Sequence, residues 1–491
     1  MSAARRLGAL LVLAVPFLFF DLGVRVLATN DETRFPMLAR DILAGGHWLL
    51  PCLNGTAHLN KPPLYAELIA LVSWAAGAVT PATVALTSLL AALGVVGLTS
   101  WIGHRLFNAE AGLAAGLIVL TTYGVFFMAR VPMPDMVLCL AITAAMGASV
   151  AAEFGGRRSA LLGFYLLVSL AFWTKGPPGL LPVAAVLVNA LAQYGSAGLA
   201  RVGWGTGVLV LVGAVGGWWL FGLTAGGAAF SDDVVIKDLL LWYLPLQGWT
   251  WRQLTEPVNQ AITILVPWSL LLPVVLWSAL RASDPEQASR VRWVLRWAGV
   301  VFLLVAISQE QRMRYYLPLC PPVALLVAWW YSGLPLGRRR ALGAGVWATV
   351  AAGFVVWQAF AAPRHNAATD LRAIRAAVTQ PARALYALDG HELVFSFYLD
   401  RPVIALADMT KFARLGGGAH DAYVIIPERA LAATPAIADF RVLAGGLVNG
   451  RRVFLIGPAG DSRRPSAAPA PSDVFHAPPD GQAATTVRPR R

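Results

Sequence analysis

Charge is scarce in this sequence. Asp, Glu, Lys and Arg together make up 13% of the 491 residues, about half the usual share of roughly 25% in a soluble domain. Charge so sparse cannot cover a water-exposed body of this size, which excludes a soluble globular protein. The apolar excess excludes a disordered chain. Cysteine is equally sparse. Cys52, Cys139 and Cys320 are the only three, and no spacing among them suggests a disulfide framework or a metal cluster. All three read as structural. The period-two alternation of a membrane barrel is missing, and so is a solenoid repeat.

Apolar side chains are what the chain does have. They make up 57% of it, with a mean hydropathy of +0.62. A bilayer span needs about 20 apolar residues, so the expected class is an all-α polytopic membrane protein. The net charge of +13 reads as Lys and Arg in cytoplasmic loops rather than as a nucleic-acid footprint. An apolar run from Leu7 to Leu27 follows Arg5 and Arg6. It is long for a signal peptide and contains Asp21 and Arg25, so it is expected to be an uncleaved first span. Further runs fall at 82–103, 111–129, 135–153, 160–174, 179–195, 203–223, 258–280, 293–308, 315–333 and 341–361.

The run 64–80 is ambiguous, and charge decides how it is read. If it does not cross, then Arg105, Arg157, Arg158, Arg201, the segment from Arg281 to Arg292, and Arg338 to Arg340 all fall inside. The expectation is therefore an interfacial or re-entrant 64–80 helix, eleven spans, an internal N-terminus and an external C-terminal part. Residues 1–361 would be the transmembrane domain, with an external loop over 28–81. Residues 362–460 would be a small extracytoplasmic α/β domain. In it a helix is expected near Leu371–Val378, strands at Leu393–Tyr398 and Ala422–Ile426, and a hairpin at Asn449-Gly450. The Pro-, Ala- and Arg-rich stretch 461–491 is expected to be disordered.

On this topology the polar segments that mix acids with bases lie outside, and ionisable groups at membrane depth are usually functional. In Asn30-Asp31-Glu32-Thr33-Arg34-Phe35, Asn30 suits a helix N-cap, and Asp31 and Glu32 suit the first-turn dipole. Capping alone would explain both acids. Alternatively, a carboxylate just beyond the first span acts as a general base or orients an acceptor. Lys61 precedes Pro62 and Pro63, so its backbone is extended. It is either a point-charge partner for a phosphate or an ordinary snorkelling lysine.

Together these segments resemble the GT-C membrane glycosyltransferases, in particular bacterial lipid A aminoarabinose transferases and the protein O-mannosyltransferase-like group. Asp31-Glu32-Thr33-Arg34-Phe35 is similar to that family's Asp-Glu-x-Arg-Tyr helix. Gly46-His47-Trp48-Leu49-Leu50-Pro51-Cys52-Leu53-Asn54-Gly55 is similar to its Gly-(Asp)-Trp-x-x-Pro-x-x-x-Gly stretch, and Asn60-Lys61-Pro62-Pro63 to Glu-Lys-Pro-Pro. Phe35 and Asn60 depart from the pattern. Arg130-Val131-Pro132-Met133-Pro134-Asp135, Thr174-Lys175-Gly176, Pro267-Trp268 and Gln311-Arg312-Met313-Arg314-Tyr315 resemble later turns of the same family.

The resemblance implies a GT-C fold and a sugar donor on a polyprenyl phosphate. It also implies a lipid, glycan or protein acceptor in the envelope, surrounding membrane lipids, no nucleic acid, and an inner-membrane location with catalytic loops outside. Asp31 would be the base or acceptor-orienting group, with Glu32 and Asp135 in the acidic site. Lys61, Arg314, Arg312 and Arg252 would be the cations for the donor phosphate, with Arg34, Lys175 and Tyr315 completing the site. Direct displacement at the sugar would invert its configuration. No metal motif is present, although a divalent cation at Asp31 is chemically conceivable. The loop 224–257, with Asp232, Asp233, Lys237, Asp238, Trp242, Tyr243, Trp249, Trp251 and Arg252, reads as an interfacial aromatic belt or as a lid. The alternatives from other classes are a lipid or solute transporter, which would show paired broken helices in two related halves, and a non-catalytic scaffold.

Overall fold

The computed structural model describes residues 3–59, 61–231, 234, 251–388, 390–408, 422–431 and 440–458. Asn60, most of the expected belt or lid in 224–257, and the 461–491 tail lie outside the described residues. The chain forms two compact units that do not follow chain order. The first is Met1–Leu22, His58–Leu68 and Ala85–Gly353; the second is Gly23–Ala57, Ile69–Val84 and Phe354–Arg491.

The first unit is helical. Among the described residues five helices are long and apolar enough to cross a membrane, or six if one bent pair counts as a single span. Leu209, Val212 and Leu220 on the helix Trp204–Ser231 are exposed. A helix satisfies its own backbone, so such a face can meet lipid. Residues 135–153 and 160–174 form helices at the expected places, Asp135–Glu153 and Ala160–Lys175. Small residues let neighbours approach: a Cβ on Gly112 would lie 2.7 Å from the Ser100 carbonyl oxygen.

Three apolar runs are shorter or more broken than expected. The helix of the first run covers only Ala3–Phe19. It ends where Arg130 Nη2 donates to the carbonyls of Phe17 (3.0 Å) and Leu18 (3.1 Å). Run 111–129 divides into Ala109–Leu120 and Tyr123–Met128. At that break Thr121 Oγ1 donates to the Leu117 carbonyl and accepts from Trp268 Nε1. Run 258–280 divides at Pro267 into helices bent by 110°, since proline supplies no N–H and clashes with the preceding turn. The segment from Arg281 to Arg292, read as a loop, is helical from Pro285, with Asp284 as N-cap accepting from the Gln287 N–H at 2.7 Å. The ambiguous 64–80 run is a 13-residue helix, Leu64–Ala76.

In the second unit the helix Asn30–Gly45 leads into a two-stranded ribbon of β1 (Cys52–Leu53) and β2 (Thr56–Ala57). The C-terminal part carries a five-stranded mixed sheet of β3 (Leu385–Ala387), β4 (Ile404–Ala405), β5 (Tyr423–Pro427), β6 (Phe440–Val448) and β7 (Arg451–Pro458), in the order β4-β3-β5-β7-β6. β5 is buried throughout, as a central strand covered on both faces should be. The hairpin turn falls at Asn449 (φ 49°) and Gly450 (φ 76°), the backbone that Asn-Gly adopts readily. Residues Arg372–Ala377 are helical as expected. Leu393–Tyr398 is not a strand: it lies in the helix Glu392–Leu399, whose buried face includes Val394, Phe395 and Phe397.

Candidate functional site

In the first unit the charges collect at helix ends. Asp135 is the first residue of Asp135–Glu153, where the helix dipole favours an anion, and Lys175 is the last of Ala160–Lys175, where it favours a cation. Lys175 Nζ lies 2.5 Å from Asp135 Oδ1, with the Asp135 side chain 2% exposed. The second carboxylate oxygen, Oδ2, is buried and accepts no hydrogen bond among the described residues. Lys175 Nζ sits 4.6 Å from the centre of the Tyr315 ring, and the Arg314 guanidinium 5.6 Å from the same ring. Lys61 and Arg314 are close enough to repel Lys175, and Arg312 lies within electrostatic reach of Tyr315. Arg312 also meets Glu310 at 3.5 Å.

Six of the expected residues, Lys61, Asp135, Lys175, Arg312, Arg314 and Tyr315, are thus neighbours. Among the described residues the set brings four cations together with the carboxylates of Asp135 and Glu310, and cations so gathered suit an anionic group such as a phosphate. Arg252 is not brought into this set. It is exposed on the first turn of Trp251–Ile264 and forms no ion pair among the described residues.

In the second unit the acidic helix begins one residue earlier than expected. Thr29, not Asn30, is its N-cap, accepting from the Glu32 N–H at 3.3 Å. Thr29-Asn30-Asp31-Glu32 has the Thr-x-x-Glu spacing of a capping box. The Glu32 side chain reaches one residue beyond the cap, to the Ala28 N–H at 2.8 Å, and ion-pairs with Arg25. Glu32 is 6% exposed, so its carboxylate is committed to holding this turn. Asn30 instead donates to the Gly390 carbonyl (2.7 Å) and to Glu392 (3.1 Å), and accepts from the Leu393 N–H (3.1 Å). Asp31 points elsewhere: its side chain is 32% exposed, with Arg34 Nη2 at 3.3 Å. Of the two acids, Asp31 is the more exposed.

The helix is held within its unit from the other side as well. Arg40 donates to the Phe397 carbonyl at 2.9 Å and lies 4.3 Å from the Phe397 ring centre. The Leu27 N–H donates to the Tyr398 hydroxyl at 2.8 Å. Sequence reading missed these partners, since nothing in a local motif points more than 350 residues along the chain. It also missed the Asp21–Arg130 pair of the first unit, where Nε meets Oδ1 at 2.9 Å and Oδ2 at 3.1 Å. The one signal was an acid within an apolar run.

No protein-family model matches the chain. Its sequence is similar to an undecaprenyl phosphate-α-4-amino-4-deoxy-L-arabinose arabinosyl transferase of Pectobacterium carotovorum, 30% identical over 72% of this chain and 64% of that protein. A protein of the same name from Edwardsiella ictaluri is 29% identical over 68% of this chain and 60% of its own length. The chain therefore spans less than two thirds of these relatives. Among solved structures, ArnT from Cupriavidus metallidurans bound to undecaprenyl phosphate superposes with a TM-score of 0.78, covering 94% of this chain and all of that one at 18% identity. The chain has the ArnT-like GT-C fold. An Archaeoglobus fulgidus oligosaccharyltransferase shares it more distantly, with a TM-score of 0.53 over 87% of this chain and 69% of that one at 11% identity.

Proposed function

We propose that the protein is an integral-membrane glycosyltransferase. It transfers a monosaccharide from undecaprenyl phosphate to an envelope acceptor such as lipid A, another glycan or a protein. The observation that carries this reading is the cation-rich cluster of Lys61, Lys175, Arg312 and Arg314 around Tyr315 and Asp135, in a chain whose relatives are named for a donor of this class.

The chemistry requires little covalent work from the protein. A phosphate monoester is already a good leaving group, so catalysis rests on positioning and charge stabilisation. Lys61 and Arg314 pair with the donor phosphate as its charge grows during departure, and Arg312 adds to the field. Lys175 supplies positive charge from a position set by Asp135, so Asp135 acts through Lys175. Asp31 takes the proton of the acceptor hydroxyl or orients it, and Arg34 holds the Asp31 carboxylate. The acceptor oxygen forms a bond to the anomeric carbon as the bond to phosphate oxygen breaks, which inverts the configuration.

The proposed topology has eleven spans, an internal N-terminus, residues 1–361 in the membrane part and 362–460 as an external domain. The transfer itself is tested with membranes containing the full chain and labelled undecaprenyl-phosphate aminoarabinose, with other undecaprenyl-phosphate sugars in parallel. Label should move to envelope lipid or glycan and release undecaprenyl phosphate. Absence of donor-dependent transfer with every sugar, by a protein present in the membrane, would remove the proposal.

A further inference from the structure

The helix Asn30–Gly45 ends at Gly46, whose left-handed backbone (φ 73°) returns its N–H to the Ile42 carbonyl. The reversal folds His47 back along the helix end, and the imidazole lies over Gly45. A Cβ on Gly45 would sit 2.6 Å from His47 Cε1 and 2.7 Å from Nδ1, so the ring can occupy this place only because residue 45 is glycine. There His47 Nδ1 is 3.0 Å from Asp41 Oδ2. The same oxygen accepts the Cys52 N–H at 2.7 Å, which ties the first strand of the ribbon to the helix. The potential donor atoms of Asp41, His47 and Cys52 all lie within 4.8 Å of one another.

We propose that Asp41, His47 and Cys52 form a binding site for a divalent transition-metal ion of the zinc class. Zinc takes carboxylate oxygen and imidazole nitrogen at about 2.0–2.2 Å and thiolate at about 2.3 Å, so neighbouring donors of a tetrahedral site stand roughly 3.3–3.8 Å apart. The observed separations, 3.0 Å for the oxygen–nitrogen pair and at most 4.8 Å for the others, bracket that spacing, and small side-chain rotations close it. A thiolate with an imidazole selects a softer ion than magnesium or calcium. The fourth position belongs to water, because the His47 side chain is 52% exposed.

Burial, and then the Asp41 carboxylate, push the Cys52 thiol above its ordinary range. A dication would reverse the second of these effects and hold the thiolate. Binding displaces one proton from Cys52, with Asp41 as carboxylate ligand and His47 as imidazole ligand. The ion would fasten the C-terminal end of the acidic helix to the ribbon. This site is separate from the residues assigned to transfer, and its test does not depend on them.

The test uses the full-length protein in detergent or nanodiscs, stripped with chelator and then loaded with Zn²⁺ or Co²⁺. Zn²⁺ should bind in a single equivalent and slow alkylation of Cys52 about tenfold or more, since the thiolate is the reacting form. Cys139 and Cys320 are buried and provide an internal reference. Co²⁺ should give a thiolate-to-metal absorption band that Cys52→Ser abolishes and His47→Ala weakens. Alkylation of wild-type Cys52 at the same rate with and without Zn²⁺, together with no such band, would overturn the site and leave His47 and Asp41 as a plain hydrogen-bonded pair. The alkylation measurement needs no variant, so a misfolded substitution cannot obscure the result.

Discussion

Two carboxylates one residue apart have different surroundings. Glu32 is buried against Arg25, whereas Asp31 remains a third exposed. Asp31→Asn keeps the size of the side chain and leaves the Thr29 cap untouched. Losing one first-turn charge costs the helix only about 0.3–1 kcal/mol. If Asp31 is the base, turnover should fall roughly 10²–10⁴-fold while protein level and donor binding hold; near-normal turnover in the labelled-donor assay would end its catalytic assignment. Lys61→Ala should raise the apparent donor KM, because a charge-assisted hydrogen bond contributes about 1.5–3 kcal/mol. Lys61→Arg should restore this only in part, since a planar fork differs from a point charge. Wild-type kinetics in Lys61→Ala would mark the residue as a snorkelling lysine. Asp135→Asn should lower turnover less than Asp31→Asn does, with Lys175→Ala giving no further loss on top of it. Additive losses would mean that Asp135 does not act through Lys175.

Among the elements, the end of the first helix depends on one side chain. Arg130 pairs with Asp21, takes the Phe126 carbonyl at 2.7 Å as well as those of Phe17 and Leu18, and lies 3.9 Å from the Phe126 ring centre. It is 4% exposed. Arg130→Leu would leave Asp21 without its charge partner and the helix end uncapped, at a cost of about 3–5 kcal/mol for a broken buried pair. Thermal unfolding in detergent should show that loss, and Asp21→Asn added to Arg130→Leu should recover part of it. Equal melting temperatures for wild type and Arg130→Leu would show that the clamp contributes nothing. The acidic helix is secured differently, by Thr29 at its start and by Asn30 and Arg40 along its length.

For the whole molecule, the decisive quantity is which side of the membrane the arginines occupy. With eleven spans, Arg105, Arg157, Arg201 and Arg338 to Arg340 are internal and the C-terminal sheet is external. The expected result of a cysteine-accessibility map is labelling from the outside at positions in 385–458 and none at Arg338–Arg340; external labelling at those arginines would overturn the topology. The 13-residue helix Leu64–Ala76 is about 20 Å long at 1.5 Å per residue, against an apolar core of about 30 Å. That length favours the non-crossing reading on which the count depends.

Composition, together with the missing period-two alternation of a barrel, pointed to a helical membrane protein, because 13% charge cannot cover a water-exposed surface of this size. Local chemistry determined the Asp135–Glu153 and Ala160–Lys175 helices and the Asn449-Gly450 hairpin, each set by neighbours in sequence. The motifs also pointed to Lys61, Asp135, Lys175, Arg314 and Tyr315, which the fold gathers in one unit. Tertiary structure decided the rest. Leu393–Tyr398 has strand-like composition but is helical, with Val394, Phe395 and Phe397 buried, and short apolar runs carry no period that would separate the two. The C-terminal end of the first helix and the roles of Asn30 and Glu32 depend on Arg130, Gly390 and Arg25. Asp41, His47 and Cys52 converge because Gly46 turns the chain and the ribbon brings Cys52 back, a convergence their spacing does not reveal.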